Sequence, residues 1–334
     1  MEEMLLHSDN TAAATAEIES VGGRVTLLLG DDLLVAKVPR DFIAKKKNFA
    51  SASAHIAASA SPETLTYVQA YWMALEKKTR PPPLIQRWSE KTAPIFLPGL
   101  QEYPFPEEAN SPYRKTMTGK IAVAALIASG PGGLAISDAE KNKIVSEVTA
   151  GLQFWTDIAP ASANLQFQLY HYFCPIDATE KKSCPSYTGC HNVFANAALQ
   201  FLGYPKGRAG RNQLARNIKD DSNADGAFLS YFSKYNQKHF AYAYTKGPLY
   251  MEYENDGWGS NQIDRVFAHE IGHVFNAPDE YGKCGCTNTE YGRGACTAKN
   301  GNCDECSGSL TSCVMKSNTL NVCSYTRKHL GWCD

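Results

Sequence analysis

The alternation of apolar and polar positions divides the chain into a short group of N-terminal elements, a proline-rich stretch and a long remainder. Residues 24 to 38 hold two apolar runs, Val25 to Leu29 and Leu33 to Ala36, on either side of Gly30, Asp31 and Asp32. That pattern predicts a β-hairpin. Ser61-Pro62-Glu63 then offers an N-cap, a proline for the first helical position and an early acid. Leu65, Val68, Trp72 and Leu75 follow at helical spacing, and the helix should stop before Pro81-Pro82-Pro83. From there to about Pro112 the periodicity is low and reads as a linker or wrapping segment. Lys45-Lys46-Lys47 reads as a solvated face.

A richer pattern begins near Lys115. Ile121 to Ile127 is a near-continuous apolar run, as a strand covered on both faces requires. Ser137-Asp138-Ala139-Glu140 is a capping box, and Ile144, Val148, Leu152 and Trp155 mark the buried face of the helix it opens. Leu165, Phe167 and Leu169 alternate as a strand. Helices are expected over 192–202 and 212–218, strands over 240–244 and 249–253, and a last long helix over about 262–275. The expected fold is α+β: a twisted mixed sheet with a long final helix and a cysteine-rich lobe, preceded by a small α/β module. The expected division is an N-terminal hairpin-plus-helix module over 1–80, a linker over 81–114 and a main domain over 115–334, with the lobe at 280–334.

Composition narrows the function. The chain has 334 residues, 43% of them hydrophobic and 20% charged, which sustains a packed core. Lysine plus arginine total 33 against 34 acids, so the basic surplus of a nucleic-acid partner is missing. No apolar run approaches the ~18 residues that span a bilayer. The 11 cysteines are confined to the C-terminal half, with none before Cys174 and a dense group from Cys284 to Cys333. Such a lobe reads as disulfide-stapled and points to a secreted or extracellular protein. Its rival is a structural zinc on thiolates, suggested by Cys284-x-Cys286 and Cys303-x-x-Cys306. An odd count leaves at least one thiol unpaired. Met1 to Asn10 carries acids but no basic and apolar leader pattern, which leaves a trimmed signal peptide, another export route or a cytosolic protein, and the cysteine density favours the first.

One five-residue motif carries the chemistry. His269-Glu270-Ile271-Gly272-His273 falls on the last predicted helix. Residues i and i+4 share a helix face, so both imidazoles can reach one zinc ion, and Glu270 is placed to act as a general base. A catalytic zinc takes three protein ligands and keeps one position open. Asp279 lies ten residues after His269. Asn276 can adopt the left-handed turn and Pro278 cannot continue a helix, so the chain should fold back there.

The run from His269 to Asp279 resembles the metzincin zinc signature, in the variant with aspartate as third ligand. Asn276 stands where that clan usually has glycine. Met315, within Ser312-Cys313-Val314-Met315, resembles the clan's methionine turn. Ser317 replaces its usual tyrosine, so a tyrosine assisting the oxyanion would come from elsewhere, such as Tyr281 or Tyr325. The segment Ala241, Tyr242, Ala243 and Tyr244 resembles the edge strand along which such enzymes bind extended substrate. The resemblance covers about 115–334. It implies a protein or peptide substrate, one catalytic Zn2+ held by His269, His273 and Asp279, and hydrolysis with Glu270 moving the proton. The N-terminal region would then be a propeptide, a folding aid or a substrate-binding domain; as an inhibitory propeptide it would act through Glu102, Glu107 or Glu108 or by blocking the cleft, since no cysteine precedes Cys174.

Two alternatives stay open. A gluzincin-type peptidase would take its third ligand from a distant glutamate such as Glu290. A non-catalytic cysteine-rich protein would use zinc only to fold the lobe. A second metal is raised by Asp221-Ser222-Asn223-Ala224-Asp225-Gly226, which resembles the first half of a Ca2+-binding loop, but Phe232 stands where a bidentate glutamate is required. A polar surface turn is the competing reading. His171, His239 and His329 lack ligand spacing and read as ordinary surface or core residues. The sequence sets no oligomeric state.

Overall fold

The computed structural model describes residues 1–39, 42, 50–51, 61–79, 111–180, 187–237, 239–254, 260–286, 296, 298–307 and 311–333. The lysine run at 45–47, nearly all of the proline-rich stretch, Glu102, Glu107, Glu108 and Glu290 lie outside them. In chain order the described strands are β1 (Glu2–His7), β2 (Arg24–Leu29), β3 (Leu33–Val38), β4 (Ala50–Ser51), β5 (Lys120–Ser129), β6 (Gln166–Pro175), β7 (Gly226–Ser233), β8 (Ala241–Ala243) and β9 (Leu249–Glu252). The described helices are α1 (Thr11–Ser20), α2 (Pro62–Thr79), α3 (Asp138–Ile158), α4 (Tyr187–Phe201), α5 (Gly207–Asp221), α6 (Ile263–Val274) and α7 (Ser324–His329).

All nine strands form one sheet in the order β4-β1-β3-β2-β6-β5-β7-β9-β8. Its centre is parallel: β2 with β6, β6 with β5, β5 with β7 and β7 with β9. The hairpin β2–β3, β1 and β4 extend one end antiparallel, and β8 closes the other end antiparallel to β9. The expected α+β layout therefore becomes mixed α/β, with a parallel centre whose crossovers place helices on both faces. The N-terminal hairpin, expected in a small module of its own, pairs through Leu27–Leu29 with Phe167–Leu169 of β6.

Strand β5 shows why both faces are apolar. Ile121, Val123, Ala125 and Ile127 pack with α2, α3 and α6, while Ala122, Ala124, Leu126 and Ala128 pack with α4 and α5. Helix α1 covers the latter face at the N-terminal end of the sheet, through Ala14 and Ile18 against Leu28, Leu34 and Ala36. Helix α3 begins at the capping box of Ser137 and Glu140 and buries Ile144, Val148, Leu152 and Trp155 completely. Burying a side chain of that size contributes ~1.5–3 kcal/mol.

Helix α2 ends at Thr79, before the prolines, and Val68 and Leu75 of the expected stripe pack against the core, but Trp72 does not. Trp72 is 46% exposed, and Tyr67, Ala70, Tyr71 and Ala74 face the core instead. The reason is a polar handle. The Tyr67 hydroxyl donates to the Leu169 carbonyl at 3.1 Å and accepts from the His171 N–H at 2.9 Å, so a tyrosine at a buried position is satisfied there.

The acidic loop after α5 is structural in its contacts. Asp221 is the last residue of that helix, and Asn223 takes a left-handed φ of 49°. Asp225 accepts the Lys120 N–H at 2.9 Å and lies 3.4 Å from Arg114. Among the described residues this loop is not one of the clusters whose ligand atoms converge. These contacts are those of a polar turn leading into β7.

Candidate metal centre

Helix α6 is amphipathic in an unusual sense, because every one of its residues is buried. Its back rests on α3: a side chain at Gly151 would meet Phe267 at 2.9 Å and the Asp264 carbonyl at 3.0 Å. Trp155 donates its indole N–H to the Ala268 carbonyl at 3.1 Å, fixing the rotation of α6 about its axis. The opposite face carries His269, Glu270 and His273 toward the C-terminal lobe, each with no exposed surface.

The helix ends where the sequence says it should. Asn276 has φ of 77°, the Asn276 N–H donates to the His273 carbonyl at 3.0 Å, and the Ala277 N–H donates to the Gly272 carbonyl at 2.9 Å. This is a Schellman motif with asparagine in the glycine position. It reverses the chain so that Asp279 returns to the two histidines. Asp279 Oδ1 lies 3.2 Å from His269 Nε2 and 3.3 Å from His273 Nε2, and the two Nε2 atoms are 3.0 Å apart.

The other ring nitrogens decide the chemistry. His269 Nδ1 is 2.9 Å from the Val314 carbonyl, and His273 Nδ1 is 2.8 Å from the Ala277 carbonyl. A carbonyl only accepts, so each Nδ1 carries the proton and each neutral ring turns an Nε2 lone pair inward. Burial keeps the His269 ring below the usual histidine range, despite Asp279 beside it. Burial alone would raise Asp279, but His273 and His269 hold it below the usual carboxylate range. Two lone pairs and a carboxylate oxygen thus converge on one point, an arrangement that a cation satisfies. Nitrogen, nitrogen and oxygen donors suit zinc and leave a fourth tetrahedral position open.

Glu270 stands apart from this set. Among the described residues neither of its carboxylate oxygens has a hydrogen-bond partner. Burial, and then the Asp279 charge, push its carboxyl well above the usual range. A buried, unpaired carboxyl costs stability, which makes Glu270 a candidate functional residue.

Below the helix, Met315 lies in a tight turn in which the Lys316 and Ser317 N–H groups both point at the Cys313 carbonyl, at 2.9 and 3.0 Å. Its sulfur is packed against Gly272, between the histidine positions. The Glu280 N–H donates to the Met315 carbonyl at 2.9 Å, tying the Asp279 segment to that turn. Of the two tyrosines raised as oxyanion partners, Tyr281 is the nearer, with its ring centroid 6.3 Å from that of His269. Tyr325 packs its ring over Gly301 instead.

The proposed edge-strand residues Ala241, Tyr242 and Ala243 form β8, which ends the sheet among the described strands and packs beside α6. Tyr244 follows it, and both tyrosine rings turn to the opposite face, around His191 and Tyr250. His171, His239 and His329 are not part of the metal cluster.

The cysteines of the lobe are joined as Cys284–Cys303, Cys286–Cys306 and Cys296–Cys333. Cys286, Cys303 and Cys306 also lie close enough to hold a metal, but a sulfur in a disulfide is not a thiolate ligand. Cys174, Cys313 and Cys323 are free.

Sequence reasoning did not anticipate the Val314 and Ala277 carbonyls that set the histidine tautomers. Backbone carbonyls leave no residue-type signal, so only the tertiary fold could show them. No family model matches the chain, and a search of curated proteins returned no match.

Proposed function

We propose that the protein is a zinc-dependent endopeptidase of metzincin type. The observation that carries this reading is the pairing of a three-donor cluster, His269, His273 and Asp279, with an unpaired buried Glu270 on the same helix. A purely structural metal needs the first and has no use for the second.

When bound, zinc supplies Lewis acidity at the scissile carbonyl and acidifies a water toward a pKa of ~7. His269 and His273 present fixed Nε2 lone pairs, and Asp279 completes the charge balance. Glu270 takes the proton of the attacking water and delivers it to the leaving amine, a role that favours a carboxylate with no competing hydrogen bond. Tyr281, whose ring centroid lies 6.3 Å from that of His269, would assist the oxyanion. An extended peptide would add to the outer side of β8 by backbone pairing. The three disulfides fit an extracellular setting, and no described helix is long and apolar enough to cross a membrane.

Comparison of Glu270→Ala with Asp279→Ala tests the reading. The first should keep its zinc while casein hydrolysis falls by ~10²–10⁴-fold. The second should lose zinc and activity together. Undiminished hydrolysis by Glu270→Ala would overturn the protease assignment. Full zinc retention by Asp279→Ala would move the third ligand elsewhere, as the gluzincin alternative requires.

A further inference from the structure

Eight cysteines lie in the C-terminal lobe, and six are already joined in three disulfides. The other two, Cys313 and Cys323, are buried. They are also neighbours. Their sulfurs and a Glu280 carboxylate oxygen lie within 4.8 Å of one another. The Cys323 N–H points at Cys313 Sγ at 3.4 Å, and both sulfurs lie against the Thr326 hydroxyl, at 3.3 and 3.6 Å. We propose that Cys313 and Cys323 form a fourth disulfide of this lobe, closing the loop that carries Met315.

A bond requires the sulfurs to approach to about 2.05 Å, which side-chain rotation can supply from a separation within 4.8 Å. The surroundings tolerate the change. Glu280 now accepts from Cys323 Sγ at 2.9 Å, from Thr326 Oγ1 at 2.7 Å and from Asn302 Nδ2. Losing the Cys323 proton leaves the carboxylate with the latter two donors, so it is not orphaned. A metal held by Glu280, Cys313 and Cys323 is the competing use of the same atoms. It would have to displace those Thr326 and Asn302 hydrogen bonds and draw thiolates from a site where burial pushes the Cys313 thiol well above its usual range.

The oxidant is a low-molecular-weight disulfide such as oxidised glutathione. One cysteine thiolate attacks its sulfur, forming a mixed disulfide and releasing one thiolate. The second cysteine attacks the mixed disulfide, forming the Cys313–Cys323 bond and releasing the other. The two cysteine protons end on the released thiolates, and the oxidant gains two electrons. Because both sulfurs are buried in the folded lobe, the exchange belongs to folding, before the lobe closes. The bond would hold the turn whose Val314 carbonyl orients His269 and whose Met315 lies under Gly272.

The test uses the full chain, purified without reductant, denatured, alkylated, digested and analysed by mass spectrometry. The proposal expects the Cys313 and Cys323 peptides to be linked and lighter by two hydrogens than the two free thiols, with alkylation of both only after reduction. In the Cys313→Ser and Cys323→Ser variants, the remaining partner should become alkylated without reduction. Labelling is done on denatured protein, so a loosened fold does not obscure the result. Alkylation of both cysteines in the unreduced parent overturns the proposal. So does a second zinc per chain that disappears in the serine variants, which would assign the cluster to metal.

Discussion

Lys77 Nζ on α2 lies 2.6 Å from the carboxylate of Asp264, in the first turn of the helix that bears His269 and His273. The same ammonium lies 2.6 Å from Glu147 on α3, and Lys143 reaches the other Glu147 oxygen at 2.6 Å. Both acids are almost completely buried, so helix α2 neutralises charge at the base of the candidate site.

Breaking this network should be costly. In Lys77→Met, Asp264 loses its lysine while Glu147 keeps Lys143. Burial and the Glu147 charge already raise Asp264 to about 6. An uncompensated buried carboxylate predicts a loss of about 3 kcal/mol in urea unfolding. Lys78→Met is the control, because its partners Glu3 and Asp157 are partly exposed and should account for less than ~1 kcal/mol. Equal losses in the two variants would refute the account.

Removal of residues 1–110 would strip β2 from β6 and take away Leu27, Leu29, Tyr67 and Tyr71, uncovering Val148, Leu152, Phe167 and Leu169 of the core they share. A chain starting at Ser111 should therefore be less soluble than the full chain and lose its cooperative unfolding. A soluble truncated chain with an unchanged melting temperature would show that the N-terminal segment is dispensable.

Gly272 is held to glycine by its neighbour. Any Cβ there enters the volume of Met315 Sδ. Gly272→Ala should destabilise by ~1–3 kcal/mol through overpacking and lower zinc occupancy by displacing the turn. Shortening the opposing side chain in Gly272→Ala with Met315→Ala should recover part of the zinc occupancy, which thermal melts and metal analysis can follow together.

Asn276 gives a backbone test. At φ of 77° an L-residue without a short polar side chain is strained by roughly 1–2 kcal/mol. Asn276→Ala should lower stability by about that amount, while Asn276→Gly should be neutral or stabilising. The reverse order in chemical denaturation would contradict the Schellman assignment.

The buried histidines set an acid limit. Burial lowers His191 to about 3, and burial with the Lys141 charge lowers His171 to about 4, from an ordinary value near 6.5. Between those values the unfolded chain binds protons that the folded chain refuses, so stability rises with pH in that window. It should be fully present above pH ~6.5 and decline as pH falls toward 4, at up to ~1.4 kcal/mol per pH unit for each histidine. His191→Phe should shallow that slope by one proton, read from urea midpoints across the range.

What the sequence determined was local. The capping box at Ser137, the buried stripe of α3, the two-faced strand β5 and the reversal at Asn276 each follow from neighbouring residues, and each stands in the structure. The motif spacing alone put His269, Glu270 and His273 on one helix. Tertiary structure decided the rest. It turned Tyr67 rather than Trp72 inward, because a carbonyl and an N–H from β6 were there to satisfy the hydroxyl. It merged the N-terminal hairpin into a single sheet, because strand pairing between β2 and β6 depends on register across 140 intervening residues or so, not on local pattern. It also brought Asp279 to the histidines and aimed their lone pairs with the Val314 and Ala277 carbonyls. Those carbonyls belong to every residue type alike, so no reading of side chains in order could have singled them out.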